Sequence, residues 1–267
     1  MTSSGSDGSA ETAVVKRGRL IGKGWIQGVA LVMLFGFTVM GLLAYRTYTD
    51  SMPQPDRVVT SSGETLFTTE DITAGQRLFQ ARGLMEYGSI LGHGGYLGQD
   101  FTAEYLRLEA TSVGDQLAAE GVADPATATR DMLRTNRYDP STGVLTWTDE
   151  QVTAYNEAVA HYTRLFGPEA HNHGLKPDLI TDPTEVRQVT AFFGWTAWGS
   201  AARRPGLDYS YTNNWPPESL VGNAPTGDLM IWSVLSLVVL IGGTGGMFAI
   251  YGRWSRKIGW RSEEAPG

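Results

Sequence analysis

The sequence predicts a mostly α-helical membrane protein in which two transmembrane helices flank an extracytoplasmic, mostly helical domain. Three observations carry this expectation. Two long uncharged runs, 24–45 and 229–252, lie towards the two ends of the 267-residue chain. Basic residues sit on the terminal side of each run. The segment between them shows helical periodicity behind recognisable helix caps, with no internal repeat and no βαβ pattern.

Residues 1–15 are small and polar with no apolar periodicity, so the tail of residues 1–23 reads as partly disordered. Residues 24–45 then run uncharged for 22 positions between Lys23 and Arg46, and 229–252 for 24 positions between Asp228 and Arg253. Each exceeds the roughly 20 apolar residues a bilayer-spanning helix needs. The first reads as an uncleaved anchor, because its apolar region is longer than the roughly 7–15 residues of a secretory signal and no small-x-small site follows. Lys16, Arg17, Arg19 and Lys23 precede the first run, and Arg253, Arg256, Lys257 and Arg261 follow the second. The positive-inside rule therefore places both tails, 1–23 and 253–267, in the cytoplasm and residues 46–228 outside the plasma membrane.

The outer segment carries 24 acidic and 13 basic residues, a net charge of −11, against +2 on each flank. Such an acidic domain argues against nucleic acid as a partner and reads as a solvated acidic surface. The chain has no cysteine, which excludes disulfides, thiolate metal sites and a covalently attached c-type haem.

Within the outer segment, residues 58–60 and 65–67 flank Gly63 as a small hairpin covering one edge. Asp71 is positioned to cap a helix through Arg82 that turns Leu78 and Phe79 inward. Asp100 or Thr102 caps the next helix, with Phe101, Tyr105, Leu108 and Leu117 on one face. Asp124-Pro125 starts a helix ending near Thr135, and 144–147 is extended. Thr148 and Gln151 form a capping box ahead of Val152, Tyr155, Val159, Tyr162 and Phe166, the clearest amphipathic helix, which Gly167-Pro168 ends. Asp182-Pro183 announces a last helix through Val186, Val189, Phe193, Trp195 and Trp198. Residues 207–228 form a membrane-proximal loop whose Tyr209, Tyr211 and Trp215 suit either an interfacial belt or a docking lip.

Residues 83–100 are the stretch around which the domain is organised, with six glycines and one histidine between two helices. Glycine at that density serves tight turns or close backbone approach, both of them features of binding sites. Gly92, Gly94, Gly95 and Gly98 only approximate a dinucleotide fingerprint, since the last is misplaced and no strand precedes them. His171 and His173 would share one face of a strand but lack a third ligand, and His161 reads as solvated. No nucleophile elbow occurs, and neither apolar run contains an ionisable residue of the kind that marks ion transport. Gly242 and Gly246 give the second run a small-xxx-small face suited to a further helical partner.

Several of these segments together resemble the N-terminal part of quinol-dependent nitric oxide reductase: 193–198 (FGWTAW), Arg204-Pro205-Gly206, 211–218 (YTNNWPPE), 222–228 and the run that follows, with 75–106 (GQRLFQARGLMEYGSILGHGGYLGQDFTAEYL). The resemblance covers roughly residues 20–260. It implies a cytochrome-c-like outer domain without haem, followed by the first helix of a catalytic core. Leu84, Tyr87 and Gly88 then stand where a cytochrome c has its two attachment thiols and axial histidine, and Gly94 and Tyr96 where the related cytochrome subunit helps hold calcium near its partner's haem. Two oxygen donors suit calcium but require others from the partner.

The same resemblance implies no cofactor in this chain. Haem b, non-haem iron and calcium would belong to the assembled enzyme, with quinol reaching it through a multi-span, haem-binding core. That core would begin just beyond residues 260–263, so the sequence resembles the non-catalytic front portion, as a split subunit or a truncated product. The alternative from another class is a non-enzymatic, membrane-anchored binding module with a degenerate cytochrome c fold.

Overall fold

The computed structural model describes residues 23–49, 51–254 and 257. Nearly all of the two expected tails, including Lys16, Arg17, Arg19, Arg256 and Arg261, lies outside the described residues. The described residues fall into two compact units, one of 23–48 with 234–254 and one within 49–233. The first begins with α1 (Lys23–Thr49).

In the second unit, β1 (Arg57–Val59) and β2 (Thr65–Thr68) precede α2 (Thr69–Ala81), the one-turn α3 (Leu84–Tyr87) and the short strands β3 (Ser89–Ile90) and β4 (His93–Gly94). Then come α4 (Phe101–Ala119), α5 (Pro125–Arg134), β5 (Tyr138–Asp139), β6 (Val144–Thr146), α6 (Asp149–Phe166), a 3-10 turn (Ala170–His173) and α7 (Pro183–Ala201). The expected hairpin forms around Gly63, but it does more than cover an edge. β1 also pairs in parallel with β6, giving a four-stranded sheet in the order β2-β1-β6-β5.

The helix starts follow their caps. Asp100 caps α4 by accepting the Ala103 amide at 3.0 Å, Asp124 and Asp182 cap α5 and α7 ahead of proline, and the Thr148–Gln151 box starts α6. At α2 the expectation is corrected. Thr68 is the cap, and Asp71 is its reciprocal partner three residues on, its carboxylate accepting the Thr68 amide at 3.0 Å. Asp71 therefore sits inside the first turn, where an acidic group also meets the positive end of the helix dipole.

The core lies where α7 packs on α2, α4 and α6. Phe79, Phe101, Tyr105, Tyr155, Tyr162, Phe166 and Phe193 are all buried. Trp147, just after β6, stands edge-on to Phe67 with ring centres 5.2 Å apart and joins the sheet to this core. A buried polar contact crosses from α6 to α4: Gln151 donates from Nε2 to Glu109 Oε1 at 2.9 Å. Desolvation pushes the Glu109 carboxyl up to about 7, a rise that the Gln151 hydrogen bond opposes.

The aromatics of residues 207–228 behave differently from one another. Tyr211 is turned into the domain, its ring 5.5 Å from Trp198 and its hydroxyl accepting from Asn136 Nδ2 at 2.9 Å. Trp215 stays 40 % exposed. The loop ends at α8 (Gly227–Trp254). Residues Gly24–Tyr45 and Met230–Trp254 have mean hydropathy 2.1 and 2.0, long and apolar enough to cross a membrane. Gly242, Gly243, Gly245 and Gly246 leave open space where a side chain would begin, a surface that a further helix can approach closely.

Candidate functional site

Residues 83–100 fold into a loop closed on itself. Gly83 takes φ +70 and breaks α2 from α3. The chain then makes the β3–β4 hairpin, whose turn holds Leu91 at φ +51 and Gly92 at φ +79. It returns across α3, with the Gly95 amide donating to Met85 O at 2.6 Å and the Gly98 amide to Tyr87 O at 2.6 Å. These bonds satisfy carbonyls that the end of a helix leaves open.

Close approach explains the glycines. A Cβ at Gly98 would enter the Tyr87 ring, and one at Gly94, where φ is +140, would strike the Gly88 carbonyl. Much of the backbone freedom visible in the sequence is therefore spent on fastening the loop to α3.

The residues singled out in the sequence fall on two sides of this loop. Leu84 is fully buried. Gly88 ends α3, its amide donating to Leu84 O at 2.9 Å, and a Cβ there would touch Phe101. Tyr87 is half-buried and donates to Gln99 Oε1 at 3.2 Å, and desolvation followed by the nearby Glu104 charge raises its pKa. Phe101 and Phe193 occupy the interior at this end of α4, stacked with centres 4.7 Å apart. Phe79 stands edge-on to both, at 5.8 and 6.1 Å.

On the outer side, Gly94 is exposed, and Tyr96 and Leu97 are each 86 % exposed. The Tyr96 hydroxyl reaches only Gly92 O, at 3.4 Å. Trp215 lies against the hairpin turn, its Nε1 3.3 Å from where a Gly92 Cβ would stand.

The four histidines do not converge. The exposed His93 has Nδ1 3.1 Å from Leu91 O. His161, expected to be solvated, instead approaches Glu104 Oε1 at 3.2 Å, while the other Glu104 oxygen accepts Gln99 Nε2 at 3.2 Å. This joins α6 to the end of the loop. His171 and His173 lie on a 3-10 turn, so the strand geometry that would align them is absent. Among the described residues, no group of three or more acidic or histidine side chains is arranged to hold a metal ion.

Two anchors were hidden in the sequence. Beyond capping α4, Asp100 uses its second oxygen, Oδ2, to accept from Ser89 Oγ at 2.8 Å and the Gly92 amide at 2.7 Å. Thr102, offered by the sequence as an alternative cap, accepts the Leu91 amide at 3.2 Å. A cap residue immediately after a glycine-rich loop was the available signal.

A family model for the NorB cytochrome c-like domain of nitric oxide reductase matches residues 55–217. Comparison with curated proteins gave no match.

Proposed function

Since the chain belongs to the NorB cytochrome c-like domain family of nitric oxide reductase, we propose that it is the haem-free docking portion of a quinol-dependent nitric oxide reductase. It lies outside the plasma membrane, held by two spans with both termini in the cytoplasm. The reaction, two nitric oxide molecules with two electrons and two protons giving nitrous oxide and water, takes place in a multi-span partner core that holds haem b and non-haem iron and draws electrons from quinol.

The family match over residues 55–217 carries this reading. What supports a haem-free domain is the chemistry of the residues present. No cysteine exists to form a thioether. Leu84 and the Phe101–Phe193 stack fill the interior next to α3, so these residues do not fit a haem, and no electron transfer is routed through this chain.

The exposed tip is the docking element. Tyr96 and Leu97, at 86 % exposure each, are large apolar surfaces of the kind a partner covers. The Gly94 carbonyl and Tyr96 hydroxyl are hard oxygen donors suited to calcium, and the remaining ligands belong to the partner.

Purification of the tagged full-length chain from its own membranes tests the reading. A haem-containing, multi-span protein is expected to accompany it, and recovery of the chain without such a protein would overturn the docking role.

A further inference from the structure

We propose that Asp100 is the positioning residue of the docking tip, setting where Gly94, Tyr96 and Leu97 stand relative to the body of the domain. This rests on the docking role proposed above and adds the side chain that ties the β3–β4 turn to α4, beside the Gly95 and Gly98 amides that fasten the loop to α3.

The hairpin cannot hold itself. Its strands are two residues each, far short of what an isolated pair needs in water. Its turn contains a leucine at φ +51, a conformation that costs a non-glycine residue free energy and persists only where neighbours impose it.

The neighbours that impose it are the first residues of α4. Oδ1 of Asp100 is fixed by the Ala103 amide at 3.0 Å, at the positive end of a 19-residue helix. Oδ2 thereby points at the hairpin, where it receives the Gly92 amide at 2.7 Å and Ser89 Oγ at 2.8 Å. Hydrogen bonds to a carboxylate are the short and strong ones. One side chain thus bolts the turn to a long helix.

A second strut runs in parallel. The adjacent amide, of Leu91, is received by Thr102 Oγ1, which donates to Thr196 Oγ1 on α7 at 3.1 Å. Thr196 in turn donates to Phe193 O at 2.8 Å, and both threonines are buried. Consecutive amides of the turn are therefore tied to α4 and, through it, to the aromatic core.

The test separates capping from positioning. Serine caps helices about as well as aspartate but is one atom too short to serve the cap and the hairpin together. In the full-length chain, Asp100→Ser is expected to leave the thermal midpoint within about 3 °C of wild type, since a preferred cap remains. Hydrogen exchange at the Leu91–Gly92 turn should quicken at least about tenfold as the local opening becomes easier. The amount of haem-bearing protein retained per tagged chain should fall several-fold. Thr102→Val is the second variant, and it should quicken Leu91 more than Gly92.

Unchanged exchange at Gly92 in Asp100→Ser would overturn the positioning role alone. Faster exchange with undiminished recovery of the haem-bearing protein would overturn the docking role of the tip, and the proposal with it. If Asp100→Ser lowers the global midpoint, Thr102→Val decides through Leu91: unchanged exchange there overturns the anchoring.

Discussion

The Phe101 and Phe193 rings stack 4.7 Å apart and within 9° of parallel, joining the first turn of α4 to the middle of α7. Both are fully buried, and Phe79, Tyr162 and Phe166 crowd the same space. In a domain of this family, the stack gives the interior a structural load that its own side chains carry.

Phe193→Ala should therefore be among the most damaging single changes, at about 3–5 kcal/mol, because it removes a large buried side chain and leaves a cavity. Thermal unfolding of the full-length chain in detergent checks this. A loss below about 1 kcal/mol would mean that the site collapses around the gap.

Glu109 makes stability depend on pH. Its folded pKa is raised from 4.5 to about 7, so between those values the unfolded chain releases a proton that the folded chain keeps. Stability from this group is present below pH 4.5, falls as pH rises towards 7 and is flat above. The full effect is on the order of 3 kcal/mol. Glu109→Gln should flatten this part of the profile and raise the unfolding midpoint at pH 8. A variant whose profile runs parallel to wild type would remove Glu109 as the cause.

Gly94→Ala forces a Cβ at φ +140 against the Gly88 carbonyl. A cost of about 1–3 kcal/mol is expected, confined to the loop. Hydrogen exchange should quicken at residues 88–98 and stay unchanged in α6 and α7. Uniform loosening of all helices would contradict the self-fastened loop.

Tyr96→Phe removes only the hydroxyl of a residue that is 86 % exposed, so folding should be unaffected. Weaker retention of the haem-bearing partner is expected, and calcium addition should restore wild-type complex more than the variant. Equal retention with and without the hydroxyl would remove Tyr96 from the shared site.

The helices were legible because their start signals are local. The capping pairs at Thr148 and Gln151, and the Asp-Pro steps at 124–125 and 182–183, lie within three residues of what they cap. Even so, Asp71 was read as the cap where Thr68 is, since either end of a capping box reads as a cap. The sheet was not legible as a whole, because β1 and β6 pair across more than 80 residues of chain and nothing in either strand names its partner. In the site, the glycines were visible but their use was not: Gly98 is required by the Tyr87 ring, a contact that only the folded loop creates. His161 read as solvated because Glu104 lies on another helix.

A haem-free domain that docks on a haem-bearing core has a distinct optical signature. The most direct measurement is the absorption spectrum of the tagged chain purified from its own membranes, recorded before and after the partner is dissociated. A Soret band in the complex that leaves entirely with the partner is the predicted result. A Soret band that stays with this chain, or its absence from the complex, would contradict the account.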